Sequence, residues 1–191
     1  MRRKLGSRPI IAEDLGLVTP GDIRLRDAFG FAPMRIFQFG FGPGPDSAHH
    51  LPHEYPRLCA AYTGNHDNNT IAGWFCHLSP AEKRRVMAYA GGSDTAIPSA
   101  FLRTLMASSA GTVIFPMQDI LGLDQRARMN TPGTGGDNWT WRLPPVNLDR
   151  PARQLRALVD VFNRNAPARN GASLSRGRRE PGPSKSRNHF R

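Results

Sequence analysis

The 191-residue sequence is short of cysteine and of long apolar runs. Its 2 cysteines, Cys59 and Cys76, lack the spacing of metal ligands, so we expect free thiols that are buried or partly exposed. No apolar run approaches the ~20 residues that a helix needs to cross a bilayer. No apolar signal region follows the basic N-terminus, Met1–Leu5. These absences predict a cytoplasmic protein.

Acidic residues are scarce towards the C-terminus. Residues 150–191 hold 11 of the 26 Lys and Arg but only 2 of the 15 Asp and Glu, so most of the net charge of +11 lies there. Residues 168–191 are rich in Arg, Ser, Gly and Pro, a composition that predicts disorder. Such a tail can bind nucleic-acid phosphates in a salt-dependent way. Because it has no interleaved aromatic pattern, we interpret it as an accidental or solubilising extension and do not expect a nucleic-acid partner.

The remainder of the chain alternates between strand and helix patterns. The predicted strands are Ile10–Glu13, Met34–Phe41, Leu58–Thr63 and Thr112–Met117. The predicted helices are Pro20–Phe29, Pro80–Ala90, Pro98–Ala110 and Arg150–Ala166, and a long loop covers Gly122–Asp137. This alternation predicts a parallel α/β sheet, either a barrel or an open sheet. Four strands are too few for a complete (β/α)8 barrel, which takes roughly 250 residues.

Acidic residues stand at the exits of two of these strands. Glu13 comes at once after the apolar run 9–12, and the apolar run before Thr63 leads through Gly64 to His66 and Asp67. The carboxyl ends of parallel strands are where α/β enzymes place their chemistry. We therefore predict one site built from Glu13 and Asp67, although an isolated Glu-Asp pair is more often an ordinary solvated helix entry.

Five motifs follow one another at sensible spacings along residues 8–165. They are I-A-E-D-L-G (residues 11–16), Y-T-G-N-H-D-N (62–68), P-M-Q-D-I-L-G (116–122), R-M-N-T-P-G (128–133) and N-W-T-W-R (138–142). In this order they resemble the C-terminal half of the 4-α-glucanotransferases, also called amylomaltases or disproportionating enzymes. The resemblance implies a partial amylase-like (β/α)8 TIM barrel over residues 1–167, comprising about strands five to eight with their helices.

The resemblance also implies a reaction and residue roles. The family transfers a segment of an α-1,4-glucan to an acceptor glucan or glucose through a covalent enzyme intermediate, without a cofactor or metal. Glu13 would be the general acid/base at the end of strand five, and Asp67 the transition-state-stabilising carboxylate at the end of strand seven. His66 would hydrogen-bond the sugar in the cleavage subsite, and Asn130 and Pro132 would contact acceptor glucan. Retaining glycoside chemistry needs this kind of carboxyl pair, and a further carboxylate favours the positive charge that develops on the ring.

The sequence departs from the family pattern at its most important residue. The family's nucleophilic aspartate follows strand four in an Arg-x-Asp setting, and no aspartate precedes Glu13 here. We therefore expect little or no transferase activity from this chain alone. A half-barrel leaves two edge strands unpaired, so the missing N-terminal half is a candidate partner. Asn65 also stands where the family usually has threonine.

Other interpretations of the same residues remain open. Gly64–Asp67 also resembles the Gly-Asn-His-Asp/Glu block of metallophosphoesterases, but the upstream Asp-x-His and Gly-Asp blocks that hold their metals are absent. His49, His50 and His53 fit no standard metal site, so we expect none there. Trp139 and Trp141 are interpreted as core or rim residues slightly in preference to sugar-stacking ones.

Overall fold

A computed structural model describes residue 6 and residues 8–165. The predicted disordered tail, residues 168–191, lies outside the described residues. The strands are β1 (Ile11–Ala12), β2 (Ala32–Ile36), β3 (Ala60–Tyr62) and β4 (Thr112–Ile114). The helices are α1 (Pro20–Phe29), α2 (Ile71–Cys76), α3 (Pro80–Ala90), α4 (Ile97–Ala107), α5 (Met117–Ile120) and α6 (Asp149–Val161). Within these residues no helix is both long and apolar enough to span a bilayer.

The four strands form one parallel sheet in the order β1-β2-β3-β4. Each strand therefore pairs with the next strand along the chain, which is the connectivity of a (β/α) barrel segment. A doubly wound sheet instead reverses its strand order at a switch point. The parallel α/β prediction is confirmed, and the carboxyl ends of all four strands lie at one edge.

Local capping explains why α1 and α3 begin and end where the sequence predicts. Thr19 and Asp22 form a capping box, in which each side chain accepts a hydrogen bond from the backbone of the other. Gly30 ends α1 with a φ of 67°, a conformation that glycine adopts without steric cost. Ser79 and Glu82 form a second capping box at the start of α3.

All four strands are shorter than predicted, and two of the predictions were wrong by several residues at their C-terminal ends. The strand predicted to reach Phe41 stops at Ile36, and residues 37–41 form a 3-10 helix. This turn buries both Phe37 and Phe41, while a continued strand would place Phe39 on the same side as both. The strand predicted to reach Met117 stops at Ile114, because Pro116 lacks a backbone N–H and is the N-cap residue of α5.

The hydrophobic core lies between the sheet, the 37–41 turn and helices α2 to α4. The rings of Phe37 and Phe101 are 4.2 Å apart, and Phe101 belongs to the predicted apolar face of α4. The remaining predicted members of that face are also buried: Leu102, Leu105 and Met106. Of the two thiols, Cys59 is buried and Cys76 is exposed.

The three histidines of the Pro-rich loop have different surroundings. Buried His50 accepts a hydrogen bond from the Ile36 N–H through Nδ1 at 3.0 Å, and burial lowers its pKa to about 4. His53 contacts the Tyr89 hydroxyl at 2.7 Å, and His49 is exposed. No group of three or more His, Cys, Asp or Glu in the described part of the chain could hold a metal ion.

Candidate active site at the carboxyl edge of the sheet

The exit of β1 carries two carboxylates with opposite surroundings. Glu13 is exposed and, within the described residues, makes no hydrogen bond or ion pair. It lines a cavity beside α1 with Leu15 and Leu17, among others. Asp14 points into the protein, and its side chain is 11% exposed. Of the two carboxyl groups, Glu13 is the one open to solvent.

Hydrogen bonds to Asp14 connect the end of β1 to α1 and β2. Its Oδ2 accepts hydrogen bonds from Arg26 of α1 at 2.5 Å and Arg35 of β2 at 3.3 Å. Its Oδ1 accepts the Met34 N–H at 2.7 Å. Two arginines compensate a single buried carboxylate, so Asp14 serves the fold rather than the chemistry.

The exit of β3 continues as a tight loop, residues 64–70. The Asn65 side chain accepts the Asp67 N–H at 2.9 Å, and the Asn68 side chain accepts the Asn65 N–H at the same distance. Gln38 lies in the 37–41 turn that follows β2, and its side-chain amide donates to the Asn69 carbonyl at 2.8 Å. A Cβ on Gly64 would lie 2.9 Å from the Gln38 Nε2, so a side chain there would displace this contact.

The loop places His66 and Asp67 together with Asn130. The Asn130 side-chain amide donates to Asp67 Oδ1 at 2.6 Å, and His66 Nε2 lies 3.3 Å from the same oxygen. The Asn130 N–H donates to the His66 carbonyl at 3.0 Å. Arg128 donates to the Asp67 and Asn130 carbonyls, at 2.6 and 2.8 Å. Three of the five predicted site residues therefore form one connected cluster.

The other two predicted site residues lie apart from that cluster. Pro132 is exposed in the loop that follows Asn130. Glu13 lies at the same edge of the sheet as Asp67, but β2 separates their strands and no hydrogen bond joins the two side chains. A cavity of about 280 Å³ adjoins the cluster, between the exits of β3 and β4, and includes His66 in its lining but not Glu13.

Asp119 is a residue of this region whose role the sequence did not reveal. It is 3% exposed, and its Oδ2 accepts the Thr63 hydroxyl at 2.5 Å while its Oδ1 accepts the Ile71 N–H at 2.8 Å. Burial raises the pKa of this carboxyl. Because Thr63 and Ile71 flank the 64–70 loop, one carboxylate joins both ends of the segment that carries His66 and Asp67. The available signal was its position two residues after the predicted strand Thr112–Met117.

A parallel sheet that presents carboxylates, an imidazole and an amide at its carboxyl edge has the site architecture of (β/α) barrel enzymes. A protein-family model described as 4-alpha-glucanotransferase, glycoside hydrolase family 77, matches residues 1–148. The chain therefore belongs to the 4-alpha-glucanotransferase family, and the resemblance predicted from its motifs is confirmed. This membership also decides against the metallophosphoesterase interpretation of Gly64–Asp67.

Similar proteins include curated enzymes of plants and bacteria. The chain is 42% identical over 167 residues to the 4-alpha-glucanotransferase DPE1, chloroplastic/amyloplastic, of Arabidopsis thaliana, covering 84% of this chain and 28% of that protein. It is 38% identical over 168 residues to the 4-alpha-glucanotransferase of Thermus thermophilus, covering 83% and 33%. The chain thus spans about a third or less of the length of these relatives.

A solved structure shares the fold. The amylomaltase from Streptococcus agalactiae in complex with acarbose matches with a TM-score of 0.79 and 36% identity, covering 85% of this chain and 33% of that one. The parallel α/β fold is therefore that of part of an amylomaltase, consistent with part of a TIM barrel.

Proposed function

We propose that this chain contributes part of the active site of a 4-α-glucanotransferase, which transfers a segment of an α-1,4-glucan to an acceptor by a retaining double displacement. The observation that carries the proposal is the cluster of His66, Asp67 and Asn130 at the carboxyl edge of the sheet, in a chain whose family match spans both strand exits. The strands correspond in this proposal to about strands five to eight of the barrel, and residues 1–167 to its C-terminal half.

Glu13 is the proposed general acid/base. Its carboxyl is exposed and has no partner among the described residues, so no internal bond has to break before it reaches a glycosidic oxygen. A retaining mechanism also needs a nucleophilic carboxylate about 5–5.5 Å from the acid. Residues 1–12 contain no Asp or Glu, so in this proposal the nucleophile comes from protein outside this sequence.

Asp67 is proposed to stabilise the positive charge of the oxocarbenium-like transition state. It is held by the neutral amide of Asn130, which fixes the carboxylate without cancelling its charge. His66 is about half exposed beside it and is proposed to hydrogen-bond a sugar hydroxyl. Asn130 and Pro132 are proposed to contact the acceptor glucan.

A chimera tests these roles. Residues 1–165 of this chain replace the matching third of the Thermus thermophilus enzyme, and glucose release from maltotriose is measured. We expect an active chimera that loses about 10²- to 10⁴-fold of its rate in Glu13→Gln and in Asp67→Asn. Asp46→Asn, an exposed carboxylate on another loop, is the matched control and should keep full activity.

Two outcomes would contradict the proposal. One is a chimera that unfolds as cooperatively as the parent enzyme yet releases no glucose. The other is an active chimera whose rate is unchanged by Glu13→Gln or Asp67→Asn. Assayed alone, the chain should release almost no glucose, and robust turnover would show that the nucleophile lies within it.

A further inference from the structure

Trp139 lies against His66 of the predicted cluster, and it is not buried. Its ring centroid lies 5.0 Å from that of His66, with the planes tilted by 37°. The residue remains 52% exposed. Burial of the indole in the core therefore does not explain why a tryptophan stands here, although it does fit the predicted rim position.

The backbone of Trp139 is held in an unfavourable conformation. Its φ is 65°, and among the described residues only Asn163 is another non-glycine residue with positive φ. Its N–H donates to the Met129 carbonyl at 2.8 Å, and its carbonyl accepts from the Arg142 side chain at 2.8 Å. Backbone strain that several contacts maintain is characteristic of functional sites.

Two groups joined to His66 in the same cluster can hydrogen-bond hydroxyl groups. Asp67 lies beyond His66, whose Nε2 is 3.3 Å from its Oδ1, and Asn130 contacts the same oxygen. A glucosyl ring presents C–H groups on its faces and hydroxyls around its rim. An aromatic face against His66, in a cluster that also holds a carboxylate and an amide, can therefore take both parts of such a ring.

We propose that Trp139 is a stacking platform for one glucosyl ring of a bound α-1,4-glucan, beside Asp67. This inference rests on the function proposed above and adds a binding residue to it. The indole stacks on the apolar face of the sugar ring, while Asp67 and Asn130 set the orientation of the ring by hydrogen-bonding its hydroxyl groups.

Ligand titration of the chain itself provides the test. The protein has 3 tryptophans, so its ¹⁵N-labelled form gives three indole N–H signals, which the Trp→Phe variants assign. Maltoheptaose is added and the shifts are followed. We expect the Trp139 signal to move most, with the Trp74 signal nearly unchanged because that ring packs against the core.

Variants separate stacking from a structural role. Trp139→Gly suits the positive φ but removes the ring, and we expect it to weaken maltoheptaose binding about tenfold. Trp139→Phe keeps a stacking face and should bind within about threefold of the original chain. Trp141→Phe, two residues along the same loop, is the matched control and should bind unchanged.

Two results would overturn the platform. Equal binding by the original chain and Trp139→Gly would do so while leaving the proposed transferase function intact. Absence of any sugar-dependent shift in the original chain would also overturn it, and the chimera assay then decides separately whether the function proposal stands.

Discussion

At the end of β1, Asp14 is held by Arg26 and Arg35, whereas at the end of β3, Asp67 is held by the side-chain amide of Asn130. Both carboxylates follow an apolar strand by a few residues, and both are fixed by side chains from elsewhere in the chain. The partners differ in charge, however. Two arginines compensate the charge of Asp14, while the hydrogen-bond donor to Asp67 is a neutral amide and its other neighbour is the His66 imidazole, at 3.3 Å.

This difference separates an anchoring carboxylate from one suited to catalysis. A charged partner both positions a carboxylate and compensates its charge, which suits a group that holds strands together. A neutral donor positions the carboxylate and preserves its field for a cation that develops on a substrate. The same contrast holds within the β1 exit, where Glu13 has no such partner and Asp14 has two.

Asp14→Ala should have the largest effect. The side chains of Arg26 and Arg35 are each 13% exposed. Removing the carboxylate leaves Arg35 nearly buried without its anion and leaves Arg26 with only the exposed Asp27. It also leaves the Met34 N–H without its acceptor. We expect a loss of about 3–5 kcal/mol in the free energy of unfolding, measured by urea denaturation.

Asp27→Ala is the control for that prediction. Asp27 also pairs with Arg26, at 2.7 Å, but its side chain is 60% exposed. An exposed pair contributes at most about 1 kcal/mol. Similar losses in the two variants would show that Asp14 is not the anchor of the β1 exit.

Asp119→Ala should have the second largest effect, at the β3 exit. The Thr63 hydroxyl and the Ile71 N–H lose their shared acceptor inside the protein, and we expect a loss of about 2–3 kcal/mol. Asp119→Asn keeps an acceptor for Ile71 and can donate to Thr63, so it should cost less than about 1 kcal/mol. Equal losses in the two variants would contradict the bridging role.

The difference in stability between the original chain and Asp119→Asn should also depend on pH. Burial raises the pKa of Asp119 in the folded state, so folding favours its protonated form. Its contribution is then fully present below the ordinary carboxyl value and is lost as pH rises through the raised folded pKa. The stability of the original chain relative to Asp119→Asn should therefore fall as pH rises above about 4, the ordinary carboxyl value. A rise over that range would contradict the effect of burial.

Local sequence predicts the features that depend on local contacts. The capping boxes at Thr19 and Ser79 involve residues three positions apart, so a few neighbouring residues predict where α1 and α3 begin. The turn at 37–41 is different, because it is decided by which phenylalanines reach a core built from α2 to α4. An apolar run alone does not distinguish that turn from a longer strand.

The candidate site shows the same limit. The carboxylates at the strand exits are visible in the sequence, since each follows an apolar run within a few residues. Their partners are not, because Asn130 is 63 residues from Asp67 and Asp119 is 56 residues from Thr63. Family resemblance pointed to Asn130 as a binding residue, yet its bond to Asp67 is a property of the folded chain.

Glu13→Gln should have the smallest effect on stability. Its carboxyl is exposed and makes no hydrogen bond or ion pair within the described residues, so the neutral amide should change the free energy of unfolding by no more than about 0.5 kcal/mol. Urea denaturation at neutral pH, beside Asp14→Asn as the neighbouring control, measures this directly. If Glu13→Gln is as stable as the original chain but inactive in the chimera, Glu13 acts in the reaction and not in folding. A loss as large as that of Asp14→Asn would instead make Glu13 a second anchor of β1.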